Sequence, residues 1–205
     1  MLKRWLADSA YQSFVAHRAR RMPYAQPSVV PQDALLFGWD TLDRVLADSA
    51  ADVLVVRESQ LLPEARPSTA EQVRTLFTRN AGIVVRRAER HDEGLARLAD
   101  AFASDLCGSA HIQLFVTPGK TQGFGWHYDE EDVCILQTQG TKTYYFRENT
   151  QEVVPGRFDF ERIRSETSPL MSCTLIARDI LYLPRHMWHA AKADEDSLSV
   201  SIGVR

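Results

Sequence analysis

Apolar positions in the first half of the chain follow a helical period, with short apolar runs between the periodic stretches. The spacing of three or four residues predicts helices over 9–20, from Asp40 onward, from Ser68 or Thr69 to Phe77, and over 92–106. Asp40 has the side chain of a good N-cap for the second of these helices. Two β-branched runs, 52–57 and 83–85, predict strands. The pattern therefore predicts an α/β lead-in over residues 1–110.

The second half of the chain carries short runs of alternating or β-branched residues separated by turn residues. These runs cover 111–117, 124–128, 132–138, 141–147, 172–176, 180–183, 186–192 and 197–204. Many short, closely spaced strands are typical of an antiparallel sandwich or barrel. The chain has no linker long enough to separate two independent domains, so we predict that residues 1–110 pack on residues 111–205 as a single compact unit.

Composition and charge narrow the class of protein. The 205 residues are 44% hydrophobic and 25% charged, as in ordinary globular proteins, which excludes a disordered or collagen-like chain. The formal net charge of −3 argues against direct nucleic-acid binding through bulk electrostatics. The sequence has no apolar run of the length that a membrane helix needs, so we predict no membrane association.

The cysteines argue against a thiolate metal site. Cys107, Cys134 and Cys173 lie far apart and form no CxxC pair, so they fit neither a zinc knuckle nor a dithiol redox motif. We interpret them as reduced thiols in a cytoplasmic protein.

Three residues of the second half carry the chemistry of a metal site. His127 and Asp129 lie two positions apart in a predicted strand, so their side chains share a face and can reach one ion. His189 follows sixty residues after Asp129 and offers a second imidazole. Two imidazoles and one carboxylate form the facial triad of non-haem Fe(II) oxygenases, which leaves coordination positions for a cosubstrate and O₂. A structural zinc site would use four protein ligands.

Each of these residues has a simpler interpretation. A histidine and an aspartate two residues apart form a weak motif, and Asp129 opens an acidic turn, 129–132, of the kind that solvated loops carry. His186 is a rival for His189 as the second imidazole. Lys142 lies in an apolar, aromatic strand, where it either faces outward or is a buried cation that pairs with the far carboxylate of a dicarboxylic cosubstrate.

The combined motifs resemble a known family. The residues are His127-Tyr128-Asp129-x-x-Asp132-Val133-x-x-x-Gln137-x-x-Gly140-x-Lys142, followed by Asp179-x-Leu181-Tyr182-x-Pro184-x-x-x-Trp188-His189. This pattern is similar to that of the JmjC/cupin-type 2-oxoglutarate oxygenases, above all to their bacterial ribosomal oxygenase branch. The chain departs from many JmjC hydroxylases at two positions that help to hold the cosubstrate, where Phe124 stands for threonine and Val133 for asparagine.

The resemblance implies a mainly β fold with helices, in which an N-terminal helical lead-in precedes a double-stranded β-helix (jelly-roll, cupin) core. It implies Fe(II) held by His127, Asp129 and His189, and 2-oxoglutarate whose distal carboxylate pairs with Lys142. The activity that it implies is hydroxylation of a C–H bond, coupled to decarboxylation of 2-oxoglutarate to succinate. Further candidates for cosubstrate contacts are Gln113, Thr117, Gln137, Ser199 and Ser201.

Charge gives a hint about the primary substrate. If the acidic runs 129–132 and 194–196 flank the mouth of the site, a negative rim would favour a cationic peptide, protein or amino-acid substrate. Two solvated turns would explain the same runs. A homodimer is compatible with the sequence.

Three functional hypotheses stay open at this point. The leading one is an Fe(II)- and 2-oxoglutarate-dependent hydroxylase of a protein side chain, a peptide or an amino-acid-like substrate. The alternatives are a cupin metalloenzyme that does not use 2-oxoglutarate and a non-catalytic metal-binding module.

Overall fold

The structure is a computed structural model that describes residues 1–31, 37–63, 66–151, 153 and 160–205. Two antiparallel sheets contain the strands of these residues. The strands are β1 (Tyr24–Gln26), β2 (Asp52–Arg57), β3 (Gln60–Leu62), β4 (Gly82–Arg86), β5 (Ala110–Thr117), β6 (Asp132–Gln139), β7 (Lys142–Arg147), β8 (Met171–Leu175), β9 (Ile180–Leu183), β10 (Trp188–Ala193) and β11 (Ser197–Val204). The larger sheet has the order β1-β9-β6-β11-β5-β4-β2-β3, and the smaller sheet has the order β10-β7-β8.

Helices cover one face of the larger sheet. They are α1 (Leu2–Trp5), α2 (Asp8–Ala19), α3 (Trp39–Ala47), α4 (Ala70–Phe77) and α5 (Glu93–Leu106), with 3₁₀ turns at Ala88–Arg90 and Phe160–Ser165. Asp92, the first residue of the helix predicted over 92–106, is the N-cap of α5, because its side chain accepts a hydrogen bond from the Leu95 N–H at 3.1 Å. The cap predicted at Asp40 is wrong: the N-cap lies two residues earlier, at Gly38, and Asp40 is inside the first turn of α3.

The core has two layers that share the larger sheet. Alternate residues of β6 point to opposite faces, so Val133 and Ile135 pack towards the smaller sheet, while Cys134 and Leu136 join the cluster beneath the helices. Because β6 is buried on both faces, the four residues at its centre, 133–136, are all apolar. This arrangement of two packed antiparallel sheets with an N-terminal helical layer confirms the predicted jelly-roll fold class.

One predicted strand does not form. Residues 124–128 make no continuous ladder, and this segment meets β10 through isolated bridges, Gln122 with Lys192 and His127 with His189. The two bridges are five residues apart along the loop, from Gln122 to His127, but only three residues apart along β10, from His189 to Lys192. The surplus residues must bulge out, so the segment follows the sheet without becoming a strand.

The lead-in and the predicted core share the larger sheet. Strand β4 pairs with β5, for example Ile83 with Val116, and β1 pairs with β9. We propose that the two parts fold as one unit, because hydrogen-bonded strands and a continuous apolar cluster join them. Within the described residues, every helix falls short of the length and apolarity that a membrane crossing requires.

A substitution where the two parts meet tests this proposal. Phe14 of α2 is buried, and its ring lies 5.5 Å from that of Tyr182 in β9. We expect Phe14→Ala to lower the free energy of unfolding by about 3–5 kcal/mol, because a large aromatic side chain leaves a cavity. Urea unfolding should show one cooperative transition in both proteins.

The next residue on the same helix provides the control. Val15 is 42% exposed, and Val15→Ala should change the free energy of unfolding by less than about 0.5 kcal/mol. Two separate transitions in the wild type, or an unchanged stability of Phe14→Ala, would contradict the single-unit proposal.

Candidate metal centre and its cavity

His127 and His189 lie directly opposite each other. The His127 N–H donates to the His189 carbonyl at 3.0 Å, and the His189 N–H donates to the His127 carbonyl at 2.8 Å. Such a reciprocal pair brings two antiparallel segments to their hydrogen-bonded spacing, with the two side chains on one face. The two imidazole rings accordingly have centroids 4.2 Å apart.

Backbone carbonyls select the tautomer of both rings. His127 Nδ1 lies 2.8 Å from the Gly125 carbonyl oxygen, and His189 Nδ1 lies 3.0 Å from the Met187 carbonyl oxygen. A carbonyl oxygen only accepts hydrogen bonds, so each Nδ1 carries the proton and donates it. Each Nε2 then has a free lone pair, which is the state that a metal-ligating histidine needs.

Asp129 completes the group. Its Oδ2 lies 3.5 Å from His189 Nε2, and the three residues offer ligand atoms that all lie within 4.8 Å of one another. The Asp129 carbonyl also accepts a hydrogen bond from the His186 N–H at 2.8 Å, which ties this loop to the turn before β10. Two imidazole nitrogens and one carboxylate oxygen in this arrangement fit a divalent first-row transition metal.

His186 occupies a different place from its rival. It lies in the turn before β10 with φ of 68°, and its ring packs against Tyr128 at 6.1 Å between centroids. The geometry therefore favours His189 over His186 as the second imidazole.

A cavity of about 610 Å³ adjoins the three residues. Its wall includes the triad, Lys142, and aromatic side chains from several elements, namely Phe115, Phe124, Trp126, Tyr128 and Tyr144. The volume falls in the range of small-molecule sites. Phe124 and Val133, the two departures from the JmjC pattern, both line it.

Lys142 faces inward. Only 2% of it is exposed, so the outward-facing alternative is excluded. Its Nζ donates to Thr117 Oγ1 at 3.2 Å and lies 5.4 Å from the centre of the Phe115 ring. Burial lowers the pKa of Lys142 to about 8. No carboxylate pairs with Lys142 in the part of the chain that the structure describes, so the ammonium group lacks a counter-anion there.

The other residues predicted to contact the cosubstrate differ in whether they reach the cavity. Gln113, Ser199 and Ser201 line it, and Thr117 reaches it through its hydrogen bond with Lys142. The Gln137 side-chain amide instead donates to the Gln139 carbonyl at 2.7 Å, which stabilises the turn between β6 and β7.

Some lining residues escaped the sequence reasoning. Tyr144 follows Lys142 by two positions on β7, so strand parity alone would have placed it on the same face. For the acidic run 129–132 the sequence left open a rim of the site or a solvated turn, and its Glu131 is 6% exposed and lines the cavity. The second acidic run, 194–196, lies outside the cavity lining. Its Asp194 and Glu195 accept hydrogen bonds from Thr143 and Thr141.

The sequence profile of the JmjC domain matches residues 85–205, more than half of the chain. The chain belongs to the JmjC-domain family. The resemblance read from the sequence motifs is thus confirmed.

Several proteins share sequence with this JmjC chain. A Dictyostelium discoideum protein described as bifunctional lysine-specific demethylase and histidyl-hydroxylase NO66 is 37% identical over 101 residues, which is 48% of this chain and 20% of that protein. Ribosomal oxygenase 1 of Gallus gallus is 34% identical over 98 residues, 46% of this chain and 16% of that protein. The chain therefore matches a minor part of these longer relatives.

Solved structures share the fold. Escherichia coli YcfD, a ribosomal oxygenase solved with cobalt and 2-oxoglutarate, has a TM-score of 0.67 at 19% identity, covering 95% of this chain and 51% of that one. Another structure of YcfD has a TM-score of 0.69 at 18% identity, covering 95% and 52%. The JmjC chain spans about half of these proteins.

The tautomers at the centre lead to a testable prediction. Burial lowers the pKa of His189, and the nearby His127 lowers it further, whereas Asp129 acts in the opposite direction. In the metal-free protein we expect the His189 imidazole to stay neutral, as the Nδ1–H tautomer, at pH values well below the ordinary 6.5. Long-range ¹H–¹⁵N correlation spectra across a pH series measure both properties. A midpoint at or above 6.5, or an Nε2–H tautomer, would contradict this geometry.

Proposed function

We propose that the chain is an Fe(II)- and 2-oxoglutarate-dependent hydroxylase that acts on a protein side chain, a peptide or an amino-acid-like substrate. The observation that carries the proposal is the presence in one cavity of a His-Asp-His ligand set and a buried lysine. Membership of the JmjC-domain family and the cobalt and 2-oxoglutarate in a YcfD structure support it.

Strand register supports a division of roles between the triad and Lys142. In the smaller sheet His189 pairs with Phe146, and Lys142 lies four residues from Phe146 along β7. Cross-strand partners share a face, and side chains two or four residues apart on a strand do so too, so His189 and Lys142 both point into the cavity. The two positions are about 13 Å apart along the strands. A dicarboxylic acid held at the triad by one end can direct its other carboxylate towards Lys142.

His127, Asp129 and His189 would hold the iron, and their arrangement does not depend on it. When bound in such a ligand set, Fe(II) couples the oxidative decarboxylation of 2-oxoglutarate to hydroxylation of a C–H bond. In the neutral rings, the backbone carbonyls of Gly125 and Met187 hold the proton on Nδ1, which leaves each Nε2 free for the metal. Lys142 is shielded from water, so a pair between its ammonium group and a carboxylate is stronger than the same pair in water.

Aromatic residues cover part of the same region. The Phe124 ring lies 6.0 Å from the His127 ring and 6.3 Å from the Phe115 ring, so it covers the triad on one side. Excluding water from the cavity strengthens polar contacts within it and limits side reactions.

Succinate formation tests the proposal. Protein loaded anaerobically with Fe(II) is mixed with 2-oxoglutarate and O₂, and succinate is measured without a primary substrate. We expect slow uncoupled turnover in the wild type, loss of turnover in His127→Ala, and recovery only at high 2-oxoglutarate in Lys142→Ala. Lys192→Ala, which removes an exposed lysine from β10, is the matched control and should behave as the wild type.

Two outcomes would contradict the proposal. An iron-loaded wild type without turnover favours the cupin metalloenzyme that uses no 2-oxoglutarate, or the non-catalytic metal-binding module. If Lys142→Ala and the wild type have equal apparent affinity for 2-oxoglutarate, Lys142 does not bind the cosubstrate.

The pKa of Lys142 predicts how cosubstrate binding depends on pH. Burial lowers this pKa to about 8, so the charged form is lost as the pH rises through that value. We expect the dissociation constant of 2-oxoglutarate, measured with Co(II) under argon, to increase above pH 8 by up to about tenfold per pH unit. Lys142→Arg keeps its charge, so its affinity should stay flat over the same range. A wild-type affinity that is constant from pH 7 to pH 9.5 would contradict a charged Lys142 as the anchor.

A further inference from the structure

The cavity has two chemically different ends. Side chains at alternate positions of β5 share a face, so His111, Gln113, Phe115 and Thr117 form one row. Thr117, at one end of the row, contacts Lys142. His111, six residues away, lies about 20 Å from that end along the strand. The two ends of the row are therefore well separated: Lys142 lies at one of them, and the His111 end is far from it.

A buried carboxylate occupies this far end. Glu131 Oε1 lies 3.0 Å from His111 Nε2, and Arg205 Nε donates to Glu131 Oε2 at 2.9 Å. These two contacts engage both oxygens of the carboxylate. Glu131 is therefore fixed in position by one residue of β5 and by the residue that follows β11.

A glycine leaves room for this carboxylate. Gly203 pairs with His111 in the ladder between β11 and β5. A Cβ atom at Gly203 would lie 2.4 Å from Glu131 Oε1 and 2.7 Å from the His111 ring. Both distances are far below a normal contact, so any larger residue would displace the carboxylate.

The fixed carboxylate keeps the capacity to bind a ligand. A carboxylate has about four acceptor positions, and the contacts with His111 and Arg205 use two of them. Asp129 and Glu131 are the carboxylates among the described residues that line the cavity, and Asp129 belongs to the ligand set. The side chain of Arg205 is 66% exposed, so water screens much of its charge on the outer side.

We propose that Glu131, held by His111 and Arg205, is the specificity-determining residue for the primary substrate and selects a cationic N–H donor, a guanidinium or an ammonium group. The inference rests on the proposed function, because it assigns the Lys142 end of the cavity to the cosubstrate and the Glu131 end to the substrate. The hydrogen bond from Arg205 is an example of the guanidinium contact that this carboxylate accepts.

Binding of matched peptides tests the inference without relying on turnover. The probes are N-acetyl-Gly-Arg-Gly-amide, its lysine counterpart and its neutral citrulline counterpart, titrated calorimetrically under argon into protein that holds Co(II) and 2-oxoglutarate. We expect the wild type to bind at least one cationic peptide about tenfold or more tightly than the citrulline peptide, as is typical of a charge-assisted hydrogen bond. Glu131→Gln keeps the shape and removes the charge, and it should lose this preference.

Two further variants make the test specific. Glu130→Gln removes the same charge from the neighbouring residue, which lies outside the cavity lining, and should keep the preference. Gly203→Ala retains the charge but displaces the carboxylate, and it should lose the preference. The Co(II) and 2-oxoglutarate affinities of each variant show whether it folds with an intact centre.

The outcomes separate this inference from the proposed function. If the wild type shows no preference for either cationic peptide, or if Glu131→Gln keeps the preference with an intact centre, Glu131 is not the specificity residue, whether or not 2-oxoglutarate binds. If the preference depends on Glu131 but the wild type binds no 2-oxoglutarate, the proposed function fails and the assignment of Glu131 stands.

Discussion

The site depends on one pair of backbone hydrogen bonds, those between His127 and His189. They join a loop that is not a strand to the edge of the smaller sheet, and they do so at the residues whose side chains face each other. The nearby carbonyls of Gly125 and Met187 then fix the rings. Ring position and tautomer are both set before any metal arrives, which reduces the ordering that binding must impose.

The interior of the fold carries groups that burial disfavours. Lys142 and His189 are both nearly inaccessible, and in each case burial lowers the pKa, which is the sign of a desolvated cationic form. A buried ammonium group with a hydroxyl as its polar partner is less stable than an apolar side chain of similar shape. Such a cost is typical of functional positions, where an incoming anion supplies the missing charge. The buried lysine and the ligand set therefore support a single explanation for the cavity.

Sequence reasoning was sufficient where local patterns determine the structure. The periodicity of α5 and the alternation in β7 reflect one buried face each, and the structure contains these elements close to their predicted bounds. The shared face of His127 and Asp129 was predicted from strand parity, but the segment is a bulged loop with a single bridge at His127. The prediction that these residues meet agrees with the geometry, although the local conformation differs.

Other features arise from contacts between distant parts of the chain. The sequence alone does not determine which way Lys142 faces. Alternation divides the side chains of β7 between two faces, and only the packing decides which face is covered. Glu131 lies in an acidic turn that looks solvated, and its partners His111 and Arg205 are distant in sequence. The short edge strands β1 and β3 contain three residues each, too few to show a period. Tertiary packing determines all three cases, and no local window contains that information.

The most direct test of the account is a visible-absorption titration with Co(II), which reports ligand number and geometry. Wild-type protein should bind one Co(II) per chain, and its spectrum should change when 2-oxoglutarate is added under argon. His189→Ala should lose the spectrum, whereas His186→Asn, which tolerates the positive φ of that turn, should keep it. Binding by His189→Ala equal to the wild type, or loss of binding in His186→Asn alone, would contradict the assignment of His127, Asp129 and His189 as the metal ligands.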